Sequence, residues 1–339
     1  MEYIEPDIYN ALKNDNAKTL DEFLEAGFDV NHTFCTKRIP PQDVGLTLLH
    51  VAVKSKNSNV IKLLIKRKCD VNVLSTQDPG SYLPSTVKHL GKNLKQSSLY
   101  LAVVNNDVET VKVLVTAGAD LKLCDDMGCS VLWHITDLYG DISMARTIIK
   151  SGQCAINYAD IHGLGPLHVA VIRGNIDFVK FLMRSRAVVD LEQCEGATPL
   201  CLACKYAKKE AVQVLLQHGA NPNHIGRNNI SPVSCAIGFM RNSKGNFNDV
   251  LAPLIMAGAA LPSVHRIIAS LPKMYLVMYP EFHQWLLEHA SKPRRLMELC
   301  GHVIRQQLGR ARWGQSAYAA VEQLPLPNFL KDYVELRHL

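Results

Sequence analysis

The sequence predicts an all-α protein, in which a solenoid of about seven helix-pair repeats is followed by a small three-helix domain. Two observations predict the repeats. A short motif of Gly, Thr or Ser, Pro, Leu and Ala recurs, and its central apolar residue returns after 50, 33, 35, 33 and 33 residues. A closing signature, in which Gly or another small residue precedes Asp or Asn, follows roughly 20 residues after each copy. The central apolar residues are Leu49, Leu99, Leu132, Leu167, Leu200 and Val233.

Each copy carries the local signals for two helices. The Thr or Ser of the motif can cap the first helix, and Pro166, Pro199 and Pro232 stand in its first turn, where no amide hydrogen is needed. The second helix has one aliphatic face, as in residues 111–115 and 178–183. The Gly of the closing signature supplies the left-handed conformation that ends this helix.

Several copies depart from the pattern. The first, at residues 8–31, lacks the opening motif and is expected to cap the N-terminal end of the array. Residues 75–95 contain two Pro and two Gly and predict a long loop between copies two and three. In copy four, Trp133 and His134 replace the motif His and a small aliphatic residue. Copy seven carries an insertion at residues 241–248, between its helices.

The reactive side chains of the array have structural explanations. His50 and His168 occupy the His of the motif, where the imidazole is expected to hydrogen-bond turn backbone. Cys201 and Cys204 form one C-x-x-C, whose spacing alone would suit a redox pair or half of a zinc site. No second pair completes four ligands, so we expect no metal, no cofactor and no catalytic residue. One of three function classes that we consider is an enzyme or redox protein built on these two cysteines; the other two follow below.

The repeats resemble the ankyrin repeat, and the resemblance covers residues 5–261. It implies that turn tips and exposed positions of the first helices bind another protein. Arg and aromatic residues at such positions are frequent binding hot spots. The candidate target-binding residues are Asp126, Met127, His162, Arg173, Lys205, Tyr206, Arg227, Asn228 and Phe239.

The repeat pattern stops after Ala260, and an amphipathic helix is predicted after Pro293. Its apolar positions recur at helical spacing and form one stripe. A polar stretch at residues 309–315 then leads to Leu-Pro-Leu-Pro at 324–327 and a short helix. The stripe comprises Leu296, Leu299, Cys300, Val303, Ile304, Gln307 and Leu308.

This tail resembles the SOCS box, whose first helix contains L-x-x-x-C-x-x-x-(Ala/Ile/Leu/Val) at Leu296, Cys300 and Ile304. The Leu-Pro-Leu-Pro of residues 324–327 reproduces the second half of that motif, while Arg295 departs from the small residue or Pro usual before the Leu. The whole chain is therefore similar to the ankyrin-repeat and SOCS-box family. The expected domains are residues 1–261 (repeats), 262–290 (capping or linker helices) and 291–339 (SOCS box).

The resemblance implies a non-catalytic adaptor of a ubiquitin ligase. The box would recruit elongin C with elongin B, and cullin-5 with its RING protein, while the repeats hold an unidentified protein that is ubiquitinated and degraded. The implied elongin C contacts are Leu296, Leu299, Cys300, Val303 and Ile304. The implied cullin contacts are Leu324, Pro325, Leu326, Pro327, Leu330 and Tyr333.

The small size of the predicted SOCS box agrees with a role in binding partner proteins. A box of roughly 45 residues is too small to bury a sufficient core unaided. Its apolar stripe is most simply covered by a groove on a partner protein. The second function class is a binding scaffold that sequesters or inhibits a partner without ubiquitination.

Charge and hydropathy exclude other partners. The net charge is +6, of which residues 291–339 carry +4 and the other 290 residues +2. So small an excess does not form a broad phosphate-binding face, and nucleic acid is not an expected partner. No stretch reaches roughly 18 apolar residues, which argues against a membrane span. The N-terminal segment is acidic and unlike a secretory signal, so we expect a cytoplasmic protein, with the nucleus also open.

Overall fold

The computed structural model describes residues 4–36, 38–75, 97–138, 140–152, 154–242 and 250–259, together with Gln284. These residues form fourteen α-helices in seven consecutive pairs, joined by turns and isolated β-bridges. They divide into two compact units, one ending at Ile161 and the other beginning at His162. The predicted all-α architecture of helix-pair repeats is confirmed.

The first unit holds four helix pairs. Its helices are α1 (Glu5–Lys13), α2 (Ala17–Glu25), α3 (Leu48–Lys54), α4 (Ser58–Lys66), α5 (Ser98–Val104), α6 (Val108–Thr116), α7 (Val131–Leu138) and α8 (Ile142–Lys150). The first helices of successive pairs pack on one another, as do the second helices, so that α3 lies between α1 and α5 and α6 lies between α4 and α8.

The second unit holds three pairs in the same arrangement. Its helices are α9 (Pro166–Arg173), α10 (Ile176–Arg184), α11 (Pro199–Lys205), α12 (Lys209–Gln217), α13 (Pro232–Asn242) and α14 (Leu251–Met256). The three prolines predicted to stand in a first turn each begin a helix: α9, α11 and α13. Helix α11 packs between α9 and α13.

Side-chain caps explain where the first helices begin. The hydroxyls of Thr47, Ser97 and Thr198 each accept a hydrogen bond from the backbone N–H of the residue three positions later. Each bond satisfies one of the free amides at the start of α3, α5 or α11. All seven residues of α5 are buried. The second helices bury only one face: in α10 that face is Phe178, Val179, Leu182 and Met183. First helices therefore form the core, and second helices cover it.

The Asn of the closing signature ties one repeat to the next. In the first unit, the carboxamide oxygen of Asn72 accepts the N–H of Asp120 (2.8 Å), and its nitrogen donates to the carbonyl of Gly118 (3.2 Å). Asn31 accepts the N–H of Asp70 in the same way (2.8 Å). These bonds join residues about one repeat apart, so the recurring Asn holds the register of the stack.

The predicted loop and insertion fall largely outside this description, which omits residues 76–96 and 243–249. Helix α13 continues through the first two residues of the insertion, Arg241 and Asn242. The predicted capping segment and SOCS box, at 262–339, also lie outside the described residues apart from Gln284. Among the described helices, none has the length and apolar character that a membrane crossing requires.

Candidate protein-interaction surfaces

One edge of the second unit is built from stacked loops that precede the first helices. The carbonyl of His162 accepts the N–H of Cys194 (2.9 Å), and the guanidinium of Arg227 donates to the carbonyl of Cys194 (3.3 Å). Both His162 and Arg227 are exposed. The structure thus brings these two predicted target-binding residues to the same loop edge, one on each side of the loop that contains Cys194.

The C-terminal ends of the first helices form a second edge of this unit. Arg173 ends α9 and Lys205 ends α11, and both are exposed. Tyr206 follows directly and is 45% exposed, with the ammonium of Lys205 5.8 Å from its ring centroid. Lys208 lies beside them, although the sequence analysis did not select it. The sequence feature that could have revealed it is a Lys at the position where five of the other copies have Asn or Asp.

Two predicted residues of the first unit stand at a turn. Asp126 is exposed and Met127 is half-buried. The carbonyl of Met127 accepts the N–H of Ile161 (2.9 Å), which places the next loop alongside. That loop exposes Ile161 (56%) and Tyr158 (46%), which the sequence analysis missed although apolar side chains in a predicted turn could have revealed them. The side chains of Asn228 and Phe239 lie outside the described part of the chain.

Asp125, Cys129 and His134 bring three ligand-type side chains together, with ligand atoms within 4.8 Å of one another. Asp125 accepts hydrogen bonds from His134 Nε2 (2.9 Å) and from the N–H groups of Met127 (2.9 Å) and Cys129 (2.8 Å). Burial raises the pKa of Asp125, but these bonds outweigh it and hold the pKa below its ordinary value. Burial and the Asp125 charge raise the pKa of the Cys129 thiol. The arrangement is that of a hydrogen-bonded turn.

The C-x-x-C cysteines lie in the core of the second unit. Cys201 and Cys204 are both fully buried on α11, and burial raises the pKa of Cys204. The hydroxyl of Thr198 donates to Cys201 Sγ (3.5 Å), and Cys201 also contacts the thiol of Cys235. A buried, hydrogen-bonded thiol at this position serves packing.

The two motif histidines are also core residues. His168 is fully buried, and its Nδ1 accepts the N–H of Gly165 (3.1 Å), as predicted for turn backbone. Burial lowers the pKa of His168 to about 4, although the carbonyls of Leu191 and Ala197 partly oppose this. His50 is likewise buried, with its Nδ1 2.7 Å from the hydroxyl of Thr47.

Comparison with known protein families identifies both parts of the chain. A profile for ankyrin repeats in three copies matches residues 99–191, 138–226 and 167–245, and one for a single ankyrin repeat matches 44–76. A profile for the SOCS box matches residues 292–335, which contain both halves of the tail motif. The chain belongs to the ankyrin-repeat and SOCS-box family. Both kinds of domain are non-catalytic adaptor modules.

Individual relatives agree with this membership. The chain is 26% identical to mouse ankyrin repeat and SOCS box protein 14 over 291 residues, which are 86% of this chain and 44% of that protein. It is 31% identical to the mouse B-cell lymphoma 3 protein homolog over 184 residues, 53% of this chain and 38% of the other. It therefore spans less than half the length of either relative.

A solved structure supports the fold. The crystal structure of the ankyrin repeat domain of Bcl-3 aligns with a TM-score of 0.58 and 18% identity, covering 72% of this chain and 97% of that one. At this identity the likeness concerns the fold alone. The predicted elongin C contacts (Leu296, Leu299, Cys300, Val303, Ile304) and cullin contacts (Leu324–Pro327, Leu330, Tyr333) lie outside the described residues of this family member.

Proposed function

We propose that the protein is the substrate-recognition adaptor of a cullin-5 RING ubiquitin ligase. Its repeats would bind the target, and its SOCS box would bind elongin B and C together with cullin-5, so that the target is ubiquitinated and sent to the proteasome. The observation that carries this proposal is the SOCS-box match at residues 292–335, in the same chain as the ankyrin repeats.

The motif residues have distinct roles in this proposal. Leu296 and Cys300 are four residues apart in the sequence, which is the spacing of about one helical turn, and would act as anchors in a groove of elongin C. Residues 324–327 present an extended segment to the cullin. Because Pro325 and Pro327 restrict the backbone, this segment loses less conformational entropy on docking than a flexible one would.

The repeats suit the role of a rigid platform. The first helices are buried almost throughout, while Arg173, Lys205 and Tyr206 project from their ends. Side chains held on packed helices need little reorganisation when a partner binds. The exposed ring and the basic groups are of the types that dominate binding energy at protein interfaces.

Catalysis in this scheme is by proximity. The adaptor raises the effective concentration of a target lysine near the ubiquitin thioester carried by the RING partner's conjugating enzyme. No residue of this chain contacts the reacting atoms. The proposal therefore requires two simultaneous binding events and no catalytic side chain.

Co-expression with elongin B and elongin C tests the proposal. We expect a stoichiometric, soluble complex, and aggregation of the chain expressed alone because its apolar stripe is then exposed. The complex should also bind cullin-5 in size-exclusion chromatography. A monodisperse chain that binds neither elongin would contradict the proposal and favour the non-degradative scaffold.

A further inference from the structure

Four of the seven second helices begin with a side-chain cap, whereas α4, α12 and α14 do not. Asn16, Asp107, Asp141 and Asn175 each accept, through their side chains, a backbone N–H of the helix that follows. Lys208 stands at the same position before α12 and makes no such bond. Lys209 follows it, so two positive charges stand where a helix favours negative ones. Helix α12 therefore lacks the local stabilisation that Asn175 gives to α10 in the preceding repeat.

The side chain of Lys208 turns toward the preceding repeat. Its ammonium lies 3.1 Å from the place that a Cβ on Gly174 would occupy, so the Gly leaves room for it. Gly174 directly follows Arg173, the last residue of α9. Lys208 thereby joins the ends of α9 and α11 into one surface. We call this surface the basic edge, and it comprises Arg173, Lys205, Tyr206, Lys208 and Lys209.

The charges of Lys205 and Lys208 carry the electrostatic argument for the basic edge. Asp177 and Glu210 are the acids that begin the adjoining helices α10 and α12. Within the described part of the chain, neither Lys205 nor Lys208 forms an ion pair, so both ammonium groups are available to a partner.

We propose that the basic edge binds an acidic segment of the target protein, with an apolar residue of that segment against the Tyr206 ring. This proposal rests on the proposed function, because it names the chemical class of the target's binding segment. Charge complementarity selects the class, since carboxylates pair with Lys and Arg while the half-exposed ring offers apolar contact. Two ammonium groups, those of Lys205 and Lys208, suit a short peptide better than a nucleic acid, which needs many phosphate contacts.

The spacing of the repeats sets the spacing of the acids. Packed helices such as α9 and α11 lie about 8–10 Å apart. An extended peptide advances roughly 3.3–3.6 Å per residue, so carboxylates about three residues apart reach the two repeats together. We therefore expect a segment with acids separated by two residues, one of which is apolar.

Fluorescence anisotropy with the full chain in complex with elongin B and C tests the proposal. The probe is a fluorescein-labelled synthetic peptide with Glu at every third position and Leu between, and its control has Gln in place of Glu. We expect the Glu peptide to bind and the Gln peptide to bind at least about tenfold more weakly. Equal binding of the two peptides, or binding of neither, would overturn the proposal.

Charge-reversed variants locate the site. Lys205→Glu combined with Lys208→Glu is expected to weaken the Glu peptide by about tenfold or more. The matched control, Lys180→Glu with Arg184→Glu, makes the same charge change on exposed residues of α10 and is expected to alter binding by less than about twofold. Equal loss in both variants would show non-specific attraction and contradict the proposal. A labelled RNA that binds as tightly and with the same sensitivity would also contradict it.

Lys208→Asn separates binding from folding. Asn can supply the cap that Asn175 makes before α10, so the melting temperature should rise while binding of the Glu peptide weakens. Unchanged binding in this variant would overturn the role of Lys208. Co-purification of the elongins is measured on every variant. Absence of the elongins from the wild-type preparation would refute the ligase function, whereas the peptide measurements on that same preparation would still decide the basic edge.

Discussion

Gly226 packs directly against the backbone of Gly196, and a Cβ on Gly226 would overlap the carbonyl oxygen of Gly196. The φ of Gly226 is −85°, which any residue can adopt, so its requirement for Gly is steric. The two residues belong to neighbouring loops of the second unit, whose stacking forms the edge that carries Arg227. This contact fixes how closely successive loops approach.

Gly226→Ala is therefore expected to destabilise the second unit by about 1–3 kcal/mol, because the added methyl group forces the two loops apart. Urea denaturation followed by circular dichroism measures this free energy of unfolding. Gly238→Ala is the matched control: Gly238 lies in helix α13 with open space around it, and the change should stabilise by about 0.5–1 kcal/mol. Equal effects of the two changes would contradict the packing argument.

A buried carboxylate joins the first two repeats. The phenol of Tyr9 donates to Asp43 (2.5 Å), which is 1% exposed and also accepts from Lys54 (2.5 Å). Tyr9→Phe is expected to lower the free energy of unfolding by about 1.5–3 kcal/mol, as for a hydrogen bond to a charged group. Glu109→Gln, which breaks an exposed pair with Lys112, should cost less than about 0.5 kcal/mol.

The Asp43 carboxylate also makes the free energy of unfolding depend on pH. Burial raises the pKa of Asp43, but hydrogen bonds from Lys54 and Tyr9 outweigh it and hold the pKa below its ordinary value. The stabilisation is therefore complete above about pH 4, the unfolded pKa, and is lost as the pH falls through the lower folded pKa. Asp43→Asn should flatten this part of the stability profile. If the variant kept the slope of the wild-type profile, Asp43 would not be the group that causes this pH dependence.

His168 gives a second pH dependence at higher pH. Its folded pKa of about 4 lies below the ordinary value of 6.5, so the unfolded chain binds a proton that the folded chain does not. The contribution of His168 to the free energy of unfolding is fully present above pH 6.5 and falls by about 3 kcal/mol toward pH 4. Unfolding measured across this range should show a component that His168→Gln removes. Persistence of that component in the variant would show that another group carries it.

The SOCS-box motif predicts separable losses of the two partners. Leu296→Ala should cost about 2–4 kcal/mol of elongin binding, the range of a central hot spot. Replacing Leu324 and Pro325 by Ala should spare elongin binding and weaken only the cullin. Isothermal titration with elongin B and C, and then with cullin-5, measures both. Loss of both partners in the second variant would contradict the assigned roles.

Thiol labelling tests whether the C-x-x-C cysteines are core residues. Cys35, Cys124 and Cys194 are exposed, whereas Cys201 and Cys204 are buried. Iodoacetamide should label the exposed thiols of the native protein first, and the buried pair only in denaturant. Peptide mass spectrometry distinguishes the two sets. Rapid native labelling of Cys201 would support the redox alternative.

The parts of the fold that could be predicted from the sequence are those that depend on residues close together in the chain. Helix starts at Thr47, Pro166 and Thr198 depend on neighbours within one turn, so the motif itself indicates them. The surface was only partly predictable. Arg173, Lys205 and Tyr206 were selected one by one, but their union through Lys208 depends on contact between residues of different repeats.

The amino-acid sequence by itself determined the helix pairs, their period and the SOCS-box motif, because each depends on side chains a few residues apart and on their repetition. Only the tertiary structure decided that Lys208 lies against Gly174, that Gly226 meets Gly196, and that Asp43 is clamped by Tyr9 and Lys54. Stacking sets these contacts, since it brings together residues that are roughly one repeat apart in the chain. No local pattern contains the distance between them.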